Sequence, residues 1–298
     1  MTRPHILMFG ATGQVATEMV AQSEAAGFSL TALGRDQVDL TDTGAIQGAI
    51  EAAPEATVAV VNAAAYTAVD AAEDDATTAE AVNAVAPGIM AAACAKAGYG
   101  FVHISTDYVF DGSSDHAYAE SDPVAPLGVY GRSKREGEVA VLQGLPDAVI
   151  LRTAWVFSAH GKNFLKTMLR LSESRNELGI VDDQRGGPTP ASGIADAVLR
   201  VIRASQRNTG WTGGVFHYCG APAVSWRQFA EAIFASGAKY GHNVPKVNAI
   251  TTADYPTPAA RPANSVLDCA RIKDIYDIDQ PDWRRAVDAD VAALVAQN

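Results

Sequence analysis

Apolar positions in the first half of the chain gather into short runs at residues 6–9, 30–33, 58–62, 101–105 and 148–153. Mostly apolar runs of this length read as strands buried on both faces. Between them, alanine-rich stretches at 14–26, 44–53, 77–97 and 133–142 read as helices. Strands alternating with helices predict a parallel sheet covered on both sides, and right-handed crossovers then give a doubly wound α/β fold. Beyond residue 155 the pattern becomes irregular. Residues 184–190 and 255–262, rich in glycine or proline, read as loops, 194–204 as a helix and 215–219 as a strand. The expected organisation is a nucleotide-binding domain over residues 1–155 and a smaller substrate domain over 156–298, some of whose segments return to the first.

Composition narrows the partners. The chain has 298 residues, is 48% hydrophobic and carries a net charge of −11 with no basic run. That excludes nucleic acid or an anionic membrane surface as the main partner. Cys94, Cys219 and Cys269 are odd in number, far apart and without a C-x-x-C, so they read as buried reduced thiols. No run reads as long and apolar enough to span a membrane. The N-terminal segment lacks the long apolar core and cleavage site of a signal peptide. A cytoplasmic protein is expected.

Three patches carry chemistry. Gly10-Ala11-Thr12-Gly13-Gln14-Val15-Ala16 lies between the first strand and the first helix. There glycines let the backbone approach a pyrophosphate, and the N–H groups of the helix's first turn face the anion, as in Rossmann-like folds. Gly34-Arg35-Asp36 stands near the end of the second strand, where the adenosine ribose is read: Arg35 suits a 2′-phosphate, Asp36 a 2′-hydroxyl. The arginine favours NADPH, with NADH as the alternative. Tyr130 and Lys134 are spaced i, i+4, on one face of a helix. A nearby ammonium is expected to lower the phenol's pKa, and such a tyrosine can give a proton to a carbonyl oxygen. Ser105 and Thr106 end the fourth strand, at the sheet edge where ligands of such folds bind.

These patches resemble the extended short-chain dehydrogenase/reductase superfamily and, within it, the dTDP-4-dehydrorhamnose reductase family. The resemblance runs from about residue 5 to beyond residue 265. It rests on 9–15, on Val61-Asn62-Ala63-Ala64-Ala65-Tyr66-Thr67-Ala68-Val69-Asp70 with Glu73, and on Ser105-Thr106-Asp107-Tyr108-Val109-Phe110-Asp111-Gly112. It continues in Tyr130-Gly131-Arg132-Ser133-Lys134 with Glu136, Arg152-Thr153-Ala154-Trp155-Val156-Phe157, Asn163-Phe164, Asp183-Gln184 with Gly187-Pro188-Thr189, and Arg261-Pro262 with Asn264-Ser265.

The resemblance implies reduction of the C4 keto group of dTDP-4-dehydro-6-deoxy-L-mannose with NADPH or NADH. Alternatives are another nucleotide-linked 4-keto-6-deoxy sugar, or a regulatory subunit that binds a dinucleotide without catalysis. It implies Thr106, Tyr130 and Lys134 as the catalytic set. Thr12, Gly13, Gln14 and Val15 would meet the cofactor phosphates, Asp39 and Leu40 the adenine, and Ala65, Tyr66 and Thr67 the nicotinamide side. Lys134 would also bond the nicotinamide ribose. Thr106, Asp107, Tyr108 and Trp155 would contact the sugar, with Trp155 as a stacking platform, and Asn163 and Arg261 the nucleotide end. Some family members form a metal-bridged homodimer through acidic residues. Glu18 matches one such position, yet no Mg2+ site is assigned. The six histidines show no ligand spacing and read as structural or exposed. The acidic run 70–75 reads as a helix start or solvated face.

Overall fold

The computed structural model describes residues 3–207 and 211–296. Among these, six parallel strands form one sheet: β1 His5–Phe9, β2 Ser29–Leu33, β3 Thr57–Asn62, β4 Gly100–Thr106, β5 Val149–Thr153 and β6 Gly214–His217, in spatial order β6-β5-β4-β3-β1-β2. The predicted doubly wound α/β fold is therefore present. The principal helices are α1 Gln14–Ser23, α2 Thr43–Glu51, α3 Ala86–Ala97, α4 Val129–Gly144, α5 Phe164–Ser172, α6 Ala191–Arg207, α7 Trp226–Ala238 and α8 Trp283–Ala296.

Alternation along the strands builds two cores. Ile6, Met8, Val61, Val102 and Leu151 face one side of the sheet, where α1 packs on α6. Leu7, Phe9, Val60, Phe101 and Ile150 face the other, against α2 and α3. Both sides are buried, which is why these strands read as continuous apolar runs. The chain order reverses at β1, between β2 and β3. A crevice opens at such a reversal, at the carboxyl ends of the strands.

The second half divides its residues between two places. Strand β6 joins the main sheet beside β5 and α6 covers that sheet. Helices α5, α7 and α8 enclose a separate core around Phe157, Phe229 and Trp283. There Glu177–Val181 pairs with Lys246–Ile250 as a parallel ribbon. The predicted loop at 184–190 is partly paired: Arg185–Gly186 bonds both Val224–Ser225 and Asn264–Ser265, and Thr189–Pro190 pairs with Val156–Phe157.

One expectation is corrected. Helical structure runs over Ala76–Ala97 with a single π turn at Ala81–Val85, and by length and composition this stretch is sufficient to cross a bilayer. Its packing is that of a core helix. Ala86, Met90, Ala91 and Cys94 are buried against the sheet, and Asn83 in the π turn bonds the Tyr66 backbone and the Ser133 hydroxyl.

Candidate active site

Two clefts meet at the carboxyl edge of the sheet. The first, about 550 Å³, is lined by Gly10–Gly13, by Gly34, Arg35, Asp39 and Leu40 after β2, and by residues 63–67 after β3. Gly10 adopts φ +106°, and a Cβ there would stand 3.1 Å from the Ala63 and Ala64 backbone. At Gly13 a Cβ would meet nothing within 4 Å, so that position opens onto free space at the start of α1. A tight turn, an open glycine and a helix N-terminus are what a pyrophosphate needs, so these residues fit a dinucleotide. Arg35 reaches the cleft with its side chain 85% exposed and its guanidinium 3.7 Å from Asp39. Asp36 does not line it.

The second cleft, about 920 Å³, is walled by Tyr108, Asn163, Phe164, Gln184, Trp226 and Arg261, among others, and Thr67 lines both. Arg261 is held by Asp70 at 2.8 Å and lies 5.9 Å from the centre of the Tyr108 ring. The acidic run read as a helix start or solvated face does begin short helices, at Val69–Ala72 and Ala76–Glu80, and its Asp70 and Glu73 both have partners. Glu73 accepts from Val129 N–H at 2.8 Å and caps α4, whose own N-cap residue, Gly128, has no side chain to do so.

That cap fixes the start of α4 and hence Tyr130 and Lys134, one turn apart. Tyr130 shares a small cluster with Tyr66 from the first cleft and meets Tyr108 of the second edge-on, ring centres 5.6 Å apart. Burial pushes its phenol up to about 12, while a hydrogen bond with Thr106 pulls the other way. The expected lowering by Lys134 is thus corrected. Lys134 turns toward the sheet, donating to the Ile104 carbonyl at 2.7 Å, and burial brings it down to about 8 against the opposing pull of Glu138.

Thr106 donates to Asp107 Oδ1 at 3.0 Å and accepts from Tyr108 N–H at 3.2 Å. The other Asp107 oxygen is buried without a hydrogen bond of good geometry, and burial pushes this carboxyl up to about 6 against the opposing pull of the Ser265 and Thr106 hydroxyls. A buried, unpaired acceptor beside a cleft marks a place for a polar ligand group.

Trp155 sits differently from expectation, and the side chains of Asn163 and Gln14 are engaged within the protein. Trp155 lines neither cleft. Its ring lies flat on Trp226 with centres 3.5 Å apart, and it bridges two cores. Trp226 is the indole that faces the second cleft. The Asn163 amide is spent within the protein, on Gln14 Oε1 at 2.8 Å, the Ser158 carbonyl at 2.7 Å and the N-cap of α5. Gln14 bonds Ser158 and Asn163 through its side chain, leaving its backbone for an anion.

The family model described as the RmlD substrate binding domain matches residues 4–295. The curated dTDP-4-dehydrorhamnose reductase of Burkholderia thailandensis is 45% identical, over 98% of this chain and 99% of that protein. This chain belongs to the dTDP-4-dehydrorhamnose reductase family. The enzyme of that name from Aggregatibacter actinomycetemcomitans is 42% identical over 95% of the chain and 96% of its own length. Among solved structures, a Clostridium acetobutylicum dTDP-4-dehydrorhamnose reductase superposes with a TM-score of 0.89 at 34% identity, covering 97% of this chain and 99% of that one. A Bacillus anthracis member in complex with NADP also gives 0.89, at 28% identity, covering 98% and 100%. The resemblance drawn from the motifs is borne out, and an NAD(P)H-dependent reductase of a nucleotide-linked sugar agrees with it.

Sequence reading missed a buried cluster behind the site of this family member. Glu138, fully buried, accepts Arg152 through both oxygens at 2.8 and 2.7 Å, Ser105 at 2.7 Å and Arg135 at 3.0 Å. These bonds hold its carboxyl below the usual range despite burial. The only signal was the presence of Arg152 inside an apolar strand. Asn83 was missed as well, since a π turn leaves no mark in an alanine-rich helix.

Proposed function

We propose that this protein reduces the C4 keto group of dTDP-4-dehydro-6-deoxy-L-mannose to give dTDP-L-rhamnose, at the junction of the two clefts. The position of Tyr130 carries the reading: its ring meets Tyr108 of the second cleft edge-on and packs on the same small cluster as Tyr66 of the first. The dinucleotide belongs to the first cleft, held by the Gly10–Gly13 turn, the start of α1, Arg35, Asp39 and Leu40, and residues 65–67. When bound, NADPH or NADH supplies the hydride for the carbonyl carbon. The nucleotide end of the substrate belongs to the second cleft, with Arg261 toward its phosphates and Trp226 as the flat wall. Residues 1–155 thus serve mainly the cofactor and residues 156–298 mainly the substrate.

A phenol held near 12 is protonated at neutral pH, and that form is the one able to donate. Tyr130 gives its Oη proton to the substrate oxygen as negative charge develops there. The Thr106 hydroxyl steadies that oxygen, and the unpaired Asp107 oxygen accepts a sugar hydroxyl. Lys134 keeps a cation beneath the reacting face, toward the cofactor ribose. The three free thiols, with the Cys219 and Cys269 sulfurs sharing a hydrogen bond at 3.8 Å, suit a reducing, cytoplasmic setting.

The test is NADPH oxidation followed spectrophotometrically with the dTDP-linked keto-sugar and its UDP and GDP counterparts. The dTDP substrate should be turned over fastest. Stoichiometric dinucleotide binding without turnover of any of them would replace this reading by a regulatory one.

A further inference from the structure

Behind the reacting face of α4 a chain of buried polar groups leads to Lys134, and its other members, Asn62 and His103, have no part in the proposed reaction. The Ala64 N–H donates to Asn62 Oδ1 at 3.1 Å, which turns the Asn62 Nδ2 toward His103. That nitrogen stands 3.1 Å from His103 Nδ1. The other ring nitrogen, Nε2, stands 3.3 Å from Lys134 Nζ. Asn62 and His103 are wholly buried and Lys134 nearly so.

Hydrogen-bond polarity along this chain runs one way. Asn62 Nδ2 is a donor, so Nδ1 of a neutral imidazole must accept and Nε2 must carry the proton. That Nε2–H points at Lys134 Nζ. An amine lone pair accepts it, whereas an ammonium has only donors to offer. Turning the Asn62 amide over would release the tautomer, but would set its NH2 against the Ala64 N–H. Protonating the ring would place a second cation beside the first in a buried site.

We propose that Asn62 and His103 are a positioning pair that sets the charge of Lys134: by holding the Nε2–H tautomer against its nitrogen, they disfavour the ammonium and bring loss of the site's cation into the working pH range. The other ionisable groups around Lys134 do not replace this control. Glu138, one turn further along α4, favours the ammonium, but its carboxylate is shared among Arg152 from β5, Arg135 and Ser105. Tyr130, one turn before, is held neutral. Burial acts in the same direction as the hydrogen bonds, keeping His103 neutral and bringing Lys134 down. The inference rests on the reading above that Lys134 serves the dinucleotide.

The readout is NADPH affinity against pH, by nucleotide fluorescence, with folding of each variant checked by thermal melting. In the parent chain, affinity should fall on the alkaline side at about pH 8, as Lys134 loses its proton. Asn62→Asp gives His103 Nδ1–H an acceptor and frees Nε2 to accept from the ammonium, moving that fall upward by about one pH unit. His103→Gln, whose amide oxygen can accept from the ammonium, should move it the same way. A merely structural role would weaken binding at every pH without moving the fall. Nitrogen NMR of the parent chain should show His103 as the Nε2–H tautomer. An Nδ1–H tautomer, or a fall that stays in place in the folded variants, overturns the proposal. Lys134→Met separates the two levels: it should abolish the fall. Parent-like binding and pH profile in that variant would overturn the cofactor role of Lys134 itself.

Discussion

Replacing Arg35 by alanine isolates the choice between NADPH and NADH. The side chain is 85% exposed and its Nη2 lies 3.7 Å from Asp39 Oδ2. At such a site two unit charges about 4 Å apart attract by about 1 kcal/mol, the value for water. A 2′-phosphate carries a charge of about −1.5 to −2, which raises this to ~1.5–2 kcal/mol before the competing Asp39 carboxylate takes its share. A net ~1.4 kcal/mol corresponds to a rise of about tenfold in the NADPH Kd. NADH lacks the phosphate and should weaken by less than about twofold on the same reasoning. Exposure adds a second signature. Screening shortens from about 10 Å at 0.1 M salt to about 3 Å at 1 M, so the gap between parent and variant should narrow with salt. Fluorescence titration of both dinucleotides at low and high salt reads all of these. If NADH weakens as much as NADPH, or the gap ignores salt, Arg35 does not read the 2′ position.

Tyr130→Phe removes the proton but keeps the ring, so kcat should fall by about 10²–10⁴-fold with keto-sugar affinity preserved; a kcat within about threefold of the parent would mean another acid. Arg152→Met strands the buried Glu138 carboxylate and should cost ~3–5 kcal/mol in urea unfolding, a loss below about 1 kcal/mol refuting the buried-pair account. Glu138 is depressed in the fold, so its contribution is fully present above the usual carboxylate range and is lost as pH falls through the depressed value; acid titration of parent stability checks that sign. Trp226→Ala should raise the keto-sugar Kd about tenfold and spare the dinucleotide, whereas Trp155→Ala should lower stability by ~3–5 kcal/mol. Lost sugar affinity in the Trp155 variant alone would restore Trp155 as the platform.

The sheet was legible because its strands are buried on both faces, so residues such as Ile6 to Phe9 are apolar in succession whichever core each one enters. The glycine turn was legible because Gly10 stands where only a residue without Cβ fits. What escaped was set by distant partners. Trp155 follows the fifth strand where a platform is plausible, but the indole that covers its face arrives with α7. Glu138 drew no reading at all, since nothing near it in sequence announces Arg152 beneath. Spacing placed Tyr130 and Lys134 on one helix face correctly, and erred on their mutual influence because the ammonium bonds a sheet carbonyl.

Gln14 opens α1 beside the first cleft, and its side chain also ties Ser158, in the loop after Val156–Phe157, and Asn163, the N-cap of α5 at the second cleft. A shift of this helix start on occupancy of one cleft would pull through these bonds on the start of α5 at the other. Thermodynamic reciprocity then requires that dinucleotide and nucleotide-sugar alter each other's affinity by an identical factor. Breaking that span with Gln14→Ala should shrink this mutual factor to the part that comes from direct contact between the two ligands.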